Sequence, residues 1–152
     1  MSTIRCFVVR HAHAGKRGSV DDERRGLSDR GLAQARGIAA ELGDESVGAI
    51  LSSPYARCVE TVEPLAAALG LRVDTSEVLA EGGDAHAALE IVEGADEPVV
   101  VCSHGDVIGD LMSTLVDRGI HLDDDRLAKG STWILTVVDG AVTSATYRPP
   151  PD

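Results

Sequence analysis

Aromatic side chains are scarce in this sequence. In 152 residues there are four, Phe7, Tyr55, Trp133 and Tyr147. So few planar faces leave nothing from which to build a base-stacking platform. Cysteine is also sparse. Cys6 and Cys102 lie in apolar runs and Cys58 in a helical pattern, an odd set with no paired spacing. That pattern is no disulfide framework and fits buried, reduced thiols in the cytoplasm. No stretch approaches the roughly 20 apolar residues that span a bilayer. The run Cys6–Val9 is too short for the apolar core of a signal peptide, so a soluble, cytoplasmic protein is expected. Basic residues are outnumbered, 14 to 25, for a net charge of −11. This balance argues against a nucleic-acid partner or an anionic membrane surface. The deficit is uneven. Residues 1–36 hold eight basic and four acidic side chains, and all the excess acid lies beyond them.

About 43% of residues are apolar, enough for one domain with one substantial core. Ile4–Val9 reads as a buried strand. Arg10–Gly18 reads as a loop. Ser28 or Asp29 caps a helix whose apolar stripe is Leu32, Ala35, Ile38, Ala39 and Leu42, closed by Gly43. Ala49–Ser53 is a second strand. Tyr55, Val59, Val62, Ala66 and Leu69 mark a second helix that ends at Gly70, with Pro64 set to kink or break it. Leu71–Asp74 is a weak third strand and Ala85–Glu93 a short helix. Pro98–Ser103 is the clearest strand, followed by a helical stripe from Val107 to Leu115. Thr132–Val138 and Ala141–Tyr147 form a hairpin through Asp139-Gly140. Residues 1–148 are expected to be the domain and 149–152 a flexible tail. The alternation predicts a three-layer α/β sandwich with a mostly parallel sheet and an antiparallel edge.

In such sheets ligands bind beyond the carboxyl ends of the strands. The residues there are Arg10, His11 and His13, then Ser52, Ser53 and Arg57, then Glu81 and Asp84, then Ser103, His104 and Asp106. Two arginines and two histidines at one rim suit a multiply charged oxyanion, because guanidinium matches phosphate oxygens and keeps its charge. A neutral histidine held at one ring nitrogen can attack from the other. A carboxylate can supply the leaving-group proton. No metal and no cofactor is called for.

These residues also stand in motifs. FVVRHAHAG resembles the "RHG" signature of the histidine phosphatase (phosphoglycerate mutase-like) superfamily. RRGLSDRGLAQA, ILSSPYARCVETVEPLA and VVVCSHGDVIGDL resemble its following segments, in order, over about residues 4–146. The resemblance implies that His11 becomes phosphohistidine and that Arg10, Arg57 and His104 form the phosphate pocket. Compact length and Ala12 in place of the usual Gly are similar to the SixA group of phosphohistidine phosphatases. In that group the arginine before the "LS" step, here Arg25, also lines the pocket. The acid is implied near Glu81, with Asp84 as the other candidate. RCVETVEPLA also looks like the phosphatase half of mycobacterial two-domain Nudix hydrolases, which act on nucleotide-type substrates.

The expected function is therefore a metal-independent phosphatase. Its substrate is a phosphorylated protein, with protein phosphohistidine ahead of nucleotide-type or sugar phosphates as small-molecule phosphate substrates. Two other classes compete: a metal hydrolase built on His11, His13, Asp106 and Asp110, and a non-catalytic phosphate or phosphoprotein binder. His13 reads as a loop residue, Asp84 also as a helix cap, and His86 and His121 as surface residues. Oligomeric state is open.

Overall fold

The structure, a computed structural model, describes residues 2–18 and 20–151. Six strands and four helices follow one another as β1 (Thr3–Arg10), α1 (Asp29–Leu42), β2 (Ala49–Ser52), α2 (Ala56–Leu69), β3 (Val73–Thr75), α3 (Ala85–Glu93), β4 (Val99–Ser103), α4 (Gly105–Asp117), β5 (Thr132–Val138) and β6 (Ala141–Arg148). Two single 3-10 turns, Asp22–Arg24 and Glu77–Leu79, interrupt the loops. The strands form one sheet in the order β3-β2-β4-β1-β5-β6. β3, β2, β4 and β1 are parallel. β5 runs antiparallel to both β1 and β6.

Alternation along the strands builds the three layers. Phe7, Val9, Ile50, Val100 and Cys102 face α1 and α2, packing on Ile38, Leu42, Val62 and Leu65. Cys6, Val8, Val99, Val101 and Leu135 face the other way, onto Leu89, Val92, Ile108 and Leu111 of α3 and α4. All five residues of β4 are buried, as a central parallel strand covered on both faces requires. Helix α1 leaves β1 on one face of the sheet and α4 leaves β4 on the other. The crevice between the ends of these adjacent strands is thus the place where a ligand is expected.

Three local expectations need adjustment. Strand β3 begins two residues late, because Leu71 still belongs to the end of α2. Its N–H donates to the Ala66 carbonyl while Gly70 takes the left-handed conformation. Helix α2 runs unbroken through Pro64. Arg10, expected in the loop, is the last residue of β1 and pairs with Ser103. The closing hairpin makes the expected antiparallel edge, with β5 antiparallel to β1 and β6. Its turn at Asp139 (φ 49°) and Gly140 (φ 83°) has the twist of a two-residue hairpin. Ser28, rather than Asp29, caps α1, its hydroxyl accepting from the Gly31 N–H. In the tail, Pro149–Pro151 flank a small hollow with Arg30, Ala33 and Gln34 of α1, and Pro151 lies over Gly37.

Phe7 has no solvent exposure and sits at the centre of the sheet against α1 and α2. Phe7→Ala is expected to lower unfolding free energy by about 3–5 kcal/mol. A urea melt checks this through a lower midpoint at unchanged slope.

Candidate active site

The strand-end crevice is a cavity of about 350 Å³, lined by Arg10, His11, Arg25, Arg57, Glu81 and His104. All six site residues expected from the sequence therefore meet at one place. His11 follows β1 directly, and its backbone N–H donates to the Ser103 carbonyl at 3.1 Å. Its ring Nδ1 lies 2.8 Å from the Ala12 carbonyl. A carbonyl only accepts, so this contact assigns the proton to Nδ1 and leaves Nε2 with a free lone pair. The Ala12 N–H in turn donates to Thr61 Oγ1 (2.9 Å), whose hydroxyl donates to the Arg57 carbonyl (2.6 Å). One bond thus ties the residue after His11 to α2, and a second, within the helix, holds the accepting hydroxyl in place.

Burial pushes the His11 imidazole down to about 3, with the nearby charges of His104, Arg57 and Arg10 acting in the same direction and its bond to Ala12 opposing. The ring is neutral at neutral pH, the form a nucleophile needs. The His104 ring centre lies 5.4 Å away, edge to face. His104 precedes Gly105, the first residue of α4, so the cavity also meets the positive end of that helix. Gly105 lies close under Arg10: a Cβ there would sit 3.0 Å from the guanidinium.

The arginines are anchored rather than free. Arg10 donates to the Leu127 carbonyl at 2.6 Å. Arg57, 2% exposed, donates to the Asp22 carbonyl (2.8 Å) and to its carboxylate (3.1 Å), and lies 3.5 Å from Glu81 Oε2. Arg25 donates to the other Asp22 oxygen (3.0 Å) and to the Gly15 carbonyl (3.0 Å). Burial tends to raise the Asp22 carboxyl, but hydrogen bonds from both arginines outweigh it and hold it below the usual carboxylate range. Glu81 is half-exposed at the cavity wall. Asp84 does not line the cavity and caps α3, accepting from the Ala87 N–H at 3.1 Å. Of the two carboxylates, Glu81 lines the cavity and Asp84 does not.

Sequence reasoning did not assign Lys129, Arg17 or Asp22 to the site. Lys129 just precedes β5. Because β5 is antiparallel to β1, its beginning lies at the rim where the parallel strands end. Arg10, Arg17, Arg25, Arg57 and Lys129 line the cavity against Glu81 and Asp106, with Asp22 between two of the arginines. The balance is two positive charges, equal and opposite to one phosphoryl dianion.

The metal-binding alternative is not assembled. His13 turns to Ser28, 2.7 Å from its hydroxyl. Asp106 accepts from the Gly82 and Val107 N–H groups. Among the described residues no group of three or more His, Cys, Asp or Glu side chains is placed to hold a metal ion. His86 is an exposed residue beside Glu90. A larger groove of about 1010 Å³, which includes His121, runs along the end of α4 and meets the cavity only at Leu127. It contains none of the paired histidines and arginines, so the chemistry belongs to the smaller cavity.

Comparison with known proteins agrees with this geometry. The family model described as the histidine phosphatase superfamily (branch 1) matches residues 6–88. The chain belongs to the histidine phosphatase superfamily. The 8-oxo-(d)GTP phosphatase of Mycolicibacterium smegmatis is 34% identical to it over all of this chain and 50% of the relative, so the chain spans about half the length of that protein. In fold it is similar to a Nakamurella multipartitia structure named as a phosphohistidine phosphatase SixA, at 21% identity, TM-score 0.77 and 100% and 99% coverage of the two chains. It is equally similar to the protein histidine phosphatase SixA complexed with tungstate, at 20% identity, TM-score 0.77 and 96% and 95% coverage. The phosphoglycerate mutase-like sandwich expected from the motifs is the fold of this histidine phosphatase. No described helix is long and apolar enough to cross a membrane.

The depressed His11 value has a consequence for stability. The unfolded chain takes up a proton below its ordinary value of 6.5, while the folded chain resists until about 3. Stability present above 6.5 is therefore lost as pH falls toward 3. Between about pH 7 and pH 4.5, wild type is expected to lose on the order of 2 kcal/mol more than His11→Ala, by urea denaturation at both pH values.

Proposed function

We propose that this histidine phosphatase hydrolyses a phosphoryl substrate without a metal, through a phosphohistidine at His11. The observation that carries the reading is the neutral His11 ring, held at Nδ1 and open at Nε2, in a cavity with two net positive charges. Nε2 attacks phosphorus in line. Arg10, Arg57 and His104 take up charge on the equatorial oxygens, with Arg25 behind them through Asp22. Glu81 protonates the leaving group, then takes a proton from the water that hydrolyses the phosphohistidine.

Protein phosphohistidine is the first substrate. The charge balance of the cavity suits a single phosphoryl group, and its open wall admits one carried on a protein surface. An imidazole leaving group asks little of a half-exposed acid such as Glu81. A second reading, a nucleotide-type phosphate, has one specific support: the 34% identity to a protein named as an 8-oxo-(d)GTP phosphatase.

His11→Ala is expected to abolish turnover, with the fold preserved in its circular dichroism, and EDTA is expected to leave wild-type activity unchanged. Near-normal turnover in His11→Ala overturns the mechanism. So does phosphate binding without turnover in wild type, which marks a non-catalytic binder. Glu81→Gln is expected to slow alkyl phosphates by about 100-fold while slowing phosphohistidine only a few-fold. A panel of phosphohistidine protein, mononucleotides and 8-oxo-dGTP, ranked by kcat/KM, decides between the substrate classes.

A further inference from the structure

The second histidine has its own support, in residues to which the reaction scheme assigns no role. His104 is 2% exposed and Ser53 is fully buried beside it. Ser53 Oγ lies 2.8 Å from His104 Nε2. The same oxygen accepts the Tyr55 N–H at 3.1 Å, at the entry to α2. His104 Nδ1 is buried and has no partner among the described residues. With Nε2 engaged by Ser53, Nδ1 is the ring nitrogen left for a phosphoryl oxygen.

We infer that Ser53 is a positioning residue that fixes the neutral His104 ring with its proton on Nδ1. Phosphoryl oxygens only accept hydrogen bonds, so a bare Nδ1 lone pair facing one would be repelled. The productive ring carries Nδ1–H, and Nε2 must then accept. Ser53 meets that need: one of its lone pairs is taken by the Tyr55 N–H, and its hydroxyl hydrogen points to Nε2. Cys58 Sγ is the rival donor, but it lies at 3.5 Å and a thiol donates weakly. The Tyr55 ring closes the remaining side edge to face, 4.7 Å from the ring centre of His104. The orienting role is that of the third group in a nucleophile–base–orienter arrangement, here serving an electrophilic histidine.

The inference rests on the reading that the phosphoryl group sits between His11 and His104, and its first test is independent of activity. In ¹⁵N-histidine-labelled protein at about pH 8, where an ordinary histidine is neutral, His104 is expected to show a protonated Nδ1 and an unprotonated Nε2. Ser53→Ala is expected to lose that single-tautomer pattern and to lower kcat by about tenfold to a hundredfold, with a smaller change in KM. Ser53→Thr, which keeps the hydroxyl, is expected to restore both. Cys58→Ala is expected to keep the tautomer. A neutral wild-type ring protonated on Nε2 overturns the assignment. So does a pattern that changes in Cys58→Ala and not in Ser53→Ala. These outcomes leave the phosphohistidine mechanism standing, whereas full turnover in His11→Ala removes it and leaves the tautomer result intact.

Discussion

Parallel pairing of β1 with β4, Arg10 opposite Ser103, is the constraint on which the rest of the molecule turns. It sets the ends of two buried strands side by side and places the two histidines on successive backbone exits. The His11 N–H donates to the Ser103 carbonyl, so the pairing continues one residue past the strand and into the site. Both strands are buried on both faces, which makes a slip in register costly. β2 pairs with β4 from the other side, Ser52 opposite Cys102, and delivers Ser53 and then Arg57 to the same rim. Three sequence-distant segments are thereby brought within contact of one phosphoryl-sized space.

The site reconciles two opposed demands. Burial of His11 keeps it uncharged, while the buried Arg57 and the half-buried Arg10 keep charge where water is scarce. The guanidinium groups tolerate this because the backbone carbonyls of Leu127 and Asp22 and the Asp22 carboxylate take their hydrogen bonds. Burial is the main cause of the neutral His11 ring, and the positive surroundings act in the same direction.

Much of this was legible in the sequence. The apolar runs at Ile4–Val9 and Pro98–Ser103, and the helical stripes behind them, carry periods that local chemistry dictates. The principle that ligands gather at strand ends then led to His11, Arg57, His104 and Glu81. What escaped depended on contacts made across the chain. Lys129 reaches the rim only because β5 docks antiparallel on β1, an arrangement that hairpin chemistry does not specify. Asp22 lies in a charged loop whose pattern resembles solvated surface, and its role emerges only when Arg57 arrives from another element. The start of β3 was misplaced because the end of α2 takes Leu71 for its cap, a local competition between two backbone hydrogen-bonding schemes.

The carboxylate of Asp22 bridges Arg25 and Arg57 before any substrate arrives. Long cationic side chains ordinarily lose rotamer freedom when they bind an anion. Here much of that freedom is already lost on folding, since each guanidinium is tethered at two or more points. An incoming phosphoryl group meets cations already in place, so little of its binding energy is spent on ordering them. The tether is itself half-exposed and borne on a short 3-10 turn, which makes preorganisation of the arginine pair only as durable as that turn.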